Sequence, residues 1–169
     1  PIRQDNEMPA HHVLSADTAS DKINPDMAIS AVAQRLINEG ETCAMIVSPE
    51  GNAACASSVL LARELSDQGL RVVLLDLTGN SAAARPMLDG LALPGITNLL
   101  TGDAAIASII HTDSYSEASV IPTGTADTAK AAKAVARLPM VINSLISAFD
   151  MVIVECGAAS ASGMKRLVL

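Results

Sequence analysis

The chain has 169 residues, of which half are hydrophobic and 17% are charged, with a net charge of −7. That length and apolar content suit one folded domain with a sizeable core and exclude disorder. Aromatic residues make up 1%, and the acidic balance argues against broad nucleic-acid binding, base stacking or docking on anionic lipid. The three cysteines, Cys43, Cys55 and Cys156, have neither CxxC nor metal spacing and read as reduced thiols of a cytosolic domain. No apolar run has the length of a membrane span, and the first residues lack the layout of a signal peptide.

Residues 1–24 are polar and aperiodic and read as a linker or arm, with residues 25–169 as the folded domain. Within the arm, His11 and His12 are adjacent in sequence, a spacing that rarely converges on one ion, so a solvated linker is expected. Pro25 and Asp26 open a predicted helix to about Asn38, with Ile29, Val32, Ala33 and Leu36 at helical spacing and Gly40 as its stop. Cys43–Val47 is an apolar run, followed by a turn with Pro49 and Gly51. The pattern then predicts a helix over about Ala53–Gln68, carrying Val59, Leu60, Ala62 and Leu65, and broken by Gly69. A second apolar run, Arg71–Leu75, ends on Asp76. Strand, turn, helix, glycine and strand make a βαβ unit.

A turn-rich connection follows, residues 77–95, then a short helix at Thr97–Leu100 and a second suggested by Ala104–Ile110. Ala118–Ile121 reads as the third strand, closed by Pro122 and Gly124. Asp127–Arg137 and Met140–Ala148 read as helices, the latter with Pro139 at its start, where proline is tolerated. Met151–Val154 is the fourth strand, running into Glu155, Cys156 and Gly157. The alternation predicts a three-layer α/β fold with a parallel sheet covered on both faces, its last strands missing if the chain stops at Leu169.

In such a sheet the turns after the first, second and fourth strands share the carboxyl edge. The loop Ser48–Ala56, Asp76 and Glu155 therefore face one another. A glycine-containing loop opposite two acidic strand ends is the layout of a magnesium–nucleotide site. Loop amides hold phosphates, a lysine neutralises charge, and a hydroxyl with carboxylates holds the metal.

On these residues the span from about Asp26 to Arg166 resembles the cytoplasmic domain of bacterial tyrosine kinases of the exopolysaccharide co-polymerase type, relatives of the MinD/ParA P-loop ATPases. The family's GEGKST loop corresponds to Gly51, Asn52, Ala53, Ala54, Cys55 and Ala56, and its RVLLIDAD segment to Arg71–Asp76. Gly95–Gly102 is similar to the family's GLSDVLxG, Ala118–Gly124 to LxVLPAG, and Phe149–Gly157 to YDxVIIDTPP. The resemblance implies a MinD/ParA-like P-loop fold and a nucleotide site at Gly51, Asn52, Ala53, Ala54, Cys55, Ala56, Asp76 and Glu155, with Asp76 and Glu155 as metal ligands if nucleotide binding is retained.

The departures fall on the chemistry. Ala54 stands where the family has its lysine, and Cys55 replaces the metal-binding Ser/Thr, a soft donor for a hard ion. Ala53 replaces a glycine, Thr78 stands in place of the second acid, and Glu155 replaces an Asp. Arg85 is the sole cation soon after Gly79 and Asn80, and no tyrosine-rich tail follows. The expected consequence is no catalytic residue, no required cofactor, and weakened affinity for ATP, ADP and Mg²⁺. By the resemblance, the chain is expected on the cytoplasmic side of the bacterial inner membrane, self-associating and contacting other subunits of a polysaccharide assembly or export system, with no nucleic-acid partner. An atypical ATP-dependent tyrosine kinase or ATPase is the alternative.

Plainer readings stand beside these. Asp76 and Glu155 also read as turn or helix caps. Ser48, Pro49 and Gly51 read as a simple turn, or as a residual anion site built from amides alone. Cys55 at a helix start is a candidate redox thiol, Tyr115 a candidate phosphorylation site in a loop, and Lys130 and Lys133 a solvated face.

Overall fold

The computed structural model describes residues 25–47 and 52–158. The arm at 1–24 with His11 and His12, the loop residues Ser48–Gly51 with the turn or anion site expected there, and the stretch after Ala158 lie outside the described residues. The elements are α1 (Pro25–Glu39), β1 (Cys43–Ile46), α2 (Asn52–Asp67), β2 (Val72–Asp76), α3 (Ile96–Thr101), β3 (His111–Thr112), β4 (Ser119–Ile121), α4 (Thr128–Ala132), α5 (Leu138–Ala148) and β5 (Met151–Glu155). No described helix is long and apolar enough to cross a membrane.

The sheet runs in the order β1-β5-β2-β4-β3. β1, β5, β2 and β4 are parallel, whereas β3 pairs antiparallel with β4. The central strands β2 and β5 are buried at every position, which is why each reads as an unbroken apolar run. β1 forms an edge of the described sheet, and its four residues are only half-buried.

Side chains alternate between two cores. Leu74 and Ile153 pack with Ala33 and Leu65 from the α1–α2 side, together with Met87 from the long connection. Val73, Leu75 and Val154 pack with Ile109, Ile142 and Leu145 on the α3–α5 side. Complete burial of such aliphatic side chains contributes roughly 1.5–3 kcal/mol each, so a core almost without rings is sustained by their number.

The two first helices pack as a pair. The Ser30 hydroxyl donates to Glu64 Oε1 at 3.0 Å, and Gln34 Nε2 donates to Gln68 Oε1 at 2.6 Å. α2 stops at Gly69, whose φ of +89° suits glycine, and Leu70 N returns to Leu65 O at 3.3 Å, closing the last turn.

Several local expectations are corrected. Val32 and Leu60 follow helical spacing but lie off the packed faces, at 46% and 41% exposure. The packed stripe of α1 uses Ile29, Ala33, Leu36 and Ile37 instead. Ala104–Ile110 is not a helix. It holds one 3₁₀ turn at Ile106–Ser108 and leads into β3, a short edge strand that the apolar pattern does not announce. The sheet is therefore mixed rather than wholly parallel. The predicted helix Asp127–Arg137 divides into α4, capped by the Asp127 carboxylate on Lys130 N at 2.9 Å, and a 3₁₀ turn at Val135–Arg137.

Candidate functional site

β1, β5 and β2 end together. Glu155 is in register with Ile46 on one side and Asp76 on the other. Both carboxylates thus sit at the carboxyl edge, and both are buried with no exposed surface. Their contacts place them on the α2 side of the sheet.

Asp76 accepts four hydrogen bonds. Thr78 donates to Oδ1 through its amide at 2.9 Å and its hydroxyl at 2.6 Å. Ala83 N and Ala84 N donate to Oδ2 at 2.9 and 2.8 Å. A carboxylate has about four acceptor sites, and these four donors match that number. Burial pushes the Asp76 carboxyl above its ordinary range, and the hydrogen bonds only partly oppose this. The result is a nucleated turn. Thr78 Oγ1 also accepts from Ala82 N at 2.9 Å, and Thr123 Oγ1 donates to Thr78 O at 2.5 Å.

Glu155 accepts from the Ser58 hydroxyl at Oε2 and from Gly157 N at Oε1, the latter at 2.8 Å. The first bond ties the middle of α2 to the end of β5. Ser58 is fully buried and was not apparent from the sequence. The one available signal was a small hydroxyl on the buried face of a helix that must lie over an acidic strand end.

Gly51 lies outside the described residues, and Asn52, Ala53 and Ala54 form the first turn of α2. Cys55 is buried at 2% exposure, and Ala56 is exposed. Burial raises the thiols of Cys43 and Cys156, that of Cys156 to about 11, which keeps both protonated near neutral pH. Among the described residues no group of three His, Cys, Asp or Glu is placed to hold a metal. Alanine thus stands at position 54 and a buried thiol at 55, and Asp76 is engaged by the turn that follows it.

Away from this edge, Arg63 of α2 forks onto the buried Asp113 at 2.8 and 2.9 Å and lies 5.1 Å over the ring of Tyr115. Tyr115 donates to Asp89 at 2.7 Å, and its ring is exposed. This cluster fastens the β3–β4 hairpin to α2.

The architecture is that of MinD/ParA-like P-loop NTPases, a mostly parallel five-stranded sheet between helices. Among solved structures, it is similar to the kinase domain of the Escherichia coli tyrosine kinase ETK, with a TM-score of 0.67 and 17% identity over 78% of this chain and 54% of that one. The BceF tyrosine kinase domain gives a TM-score of 0.65 and 20% identity over 85% of this chain and 60% of that one. The Pyrococcus furiosus cell division ATPase MinD gives 0.57 and 23% identity over 75% and 54%. The chain therefore spans little more than half the length of these neighbours, and at such identities the likeness is one of fold. The chain matches no protein-family model and no curated protein.

Proposed function

We propose that this chain is a catalytically degenerate cytoplasmic module of an exopolysaccharide biosynthesis or export protein, acting through protein–protein contacts in polymerisation or chain-length control. The observation that carries this reading is the hydrogen-bond saturation of Asp76. In an active site of this layout that carboxylate must remain available to the metal shell. Here it organises the 78–84 turn instead, and Glu155 likewise anchors α2. The missing lysine and hydroxyl at positions 54 and 55 point the same way. The kinase domains among the structural neighbours support the biological setting, as does the order of matching segments along the chain. In this reading the module self-associates and contacts other subunits of the assembly at the inner membrane.

Calorimetric titration with ATP and ADP, with and without Mg²⁺, tests it. The expected result is no heat at millimolar nucleotide. Mg²⁺-dependent micromolar binding would overturn the reading in favour of an atypical kinase or ATPase, for which label transfer from ATP to tyrosine is the next measurement.

A further inference from the structure

The charge of this chain is unevenly distributed. The net charge is −7, yet no acid occurs between Asp127 and Asp150, a stretch that carries Lys130, Lys133 and Arg137. It comprises α4, the 3₁₀ turn at Val135–Arg137 and α5. We propose that the outward face of its first half docks on an anionic lipid surface, with phosphate headgroups against the three cations. This names the face turned to the membrane in the setting proposed above, and it rests on that reading only for the presence of a membrane; its charge argument is independent of the nucleotide site.

Three observations carry it. First, burial fixes what faces out. Ala131, Leu138, Ile142 and Leu145 enter the core on the α3–α5 side. Every exposed residue from Ala129 to Met140 is then a cation or an apolar side chain, with Val135 at 49% and Met140 at 64% exposure. An ordinary solvated face mixes acids and neutral polar groups among its cations. Cations with apolar side chains alone are the make-up of an interfacial segment, where apolar groups enter the headgroup boundary and Lys and Arg stems reach the phosphates.

Second, the three cations have no acid of their own. Arg35, Arg63 and Arg71 each hold a carboxylate, whereas Lys130, Lys133 and Arg137 make no ion pair among the described residues. Lys130 and Lys133, three residues apart, lie on one side of α4 and its end. An anion therefore gains their charge without displacing an internal partner.

Third, the exposed part of Ala129–Met140 offers no hydrogen-bonding side chain besides the three cations. A folded protein partner is registered by directional hydrogen bonds, about one per 100–200 Å². A headgroup layer needs only charge and apolar contact. The acidic remainder of the chain is repelled from the same surface, which excludes docking in arbitrary orientation and leaves this face turned to the lipid.

The test is co-sedimentation of the whole chain with vesicles of equal parts phosphatidylglycerol and phosphatidylcholine, against phosphatidylcholine alone. Retention by the anionic vesicles only, weakened by salt, is expected. Lys130→Gln and Lys133→Gln should each lower the partition coefficient by about fivefold. Lys130→Glu, Lys133→Glu and Arg137→Glu together should abolish retention while the far-ultraviolet dichroism stays that of the parent. Arg85→Glu is the control: it removes an exposed cation that pairs with no acid among the described residues and lies in the connection packed on the α1–α2 side, and it should leave retention nearly unchanged. Met140→Trp supplies a lone tryptophan, whose emission should shift to the blue on binding. Absence of retention overturns the proposal, as does retention that the triple variant keeps or that Arg85→Glu lowers equally. An unshifted tryptophan on bound chain also overturns it. Self-association in sedimentation that the triple variant abolishes, without retention by vesicles, would overturn it by assigning the face to a second copy of the chain.

Discussion

Asp76 and Glu155 occupy paired register positions on β2 and β5, and each turns its carboxylate to internal donors: Asp76 to the turn that follows it, Glu155 to Ser58 of α2 and to Gly157. Two acids at the carboxyl edge of the sheet thus act as staples of the fold. Their removal should therefore be read first in stability.

Asp76→Asn keeps the shape but places an NH₂ group against backbone donors. At least one of the Thr78, Ala83 and Ala84 amides loses its acceptor, at about 1–3 kcal/mol for each buried group left unpaired. The expected total is about 2–4 kcal/mol, measured by urea unfolding. A change below about 0.5 kcal/mol, the scale of ordinary surface substitutions, would show that the four bonds contribute little.

Ser58→Ala removes the hydroxyl donor on Glu155. A loss of about 1–3 kcal/mol is expected. A double-mutant cycle with Glu155→Gln should return a coupling above about 0.5 kcal/mol, since the two side chains meet directly. Additive effects would contradict the tie between α2 and β5.

Arg63 holds Asp113, whose side chain is fully buried. Burial pushes the Asp113 carboxyl up, but the Arg63 and Ser116 hydrogen bonds outweigh it and hold it below its usual range. Arg63→Met strands that carboxylate and should cost about 3 kcal/mol. Arg63→Lys should recover only part of this, because an ammonium cannot reproduce the two-pronged contact. Full rescue by lysine would mean that charge alone matters.

Arg71 and Asp150 form an exposed pair at 2.7 Å, reinforced by Arg71 N on the same carboxylate at 2.8 Å. The side-chain hydrogen bond from Arg71 is the main cause that lowers the Asp150 carboxyl to about 2. A depressed pKa contributes stability that is complete above the ordinary carboxylate range and lost as pH falls through about 2. Asp76 has the opposite sign. Its raised pKa favours the fold most below the ordinary range, and that contribution fades as pH rises through the raised value. Asp150→Asn should therefore flatten the acid limb of a stability–pH curve between about pH 4 and 2, and 1 M salt should flatten it less, because the pair is held by hydrogen bonds. An unchanged acid limb would remove Asp150 from the account.

On the proposed function, Ala54→Lys together with Cys55→Ser should not produce nucleotide binding, because Asp76 is engaged by its own turn. Calorimetry with Mg²⁺ and ATP checks this. Micromolar affinity in the double variant would show that the loop chemistry alone had been lost.

The sequence by itself determined the main elements. Apolar runs, helical spacing and the Gly and Pro stops are local signals, and they placed α1, β1, α2, β2, α3, α5 and β5 within a few residues. Asp76 and Glu155 were legible as acids closing such runs. Tertiary structure alone decided the strand order, the antiparallel edge β3, and which residues of an amphipathic stripe face inward: Val32 and Leu60 have the right spacing but are not covered by the described residues. It also decided what Glu155 does. The donors on Asp76 lie only two to eight residues after it, in keeping with the turn-cap reading, but Ser58 and Glu155 are 97 residues apart. Contacts of that separation depend on the packing of the whole sheet, which no local pattern encodes.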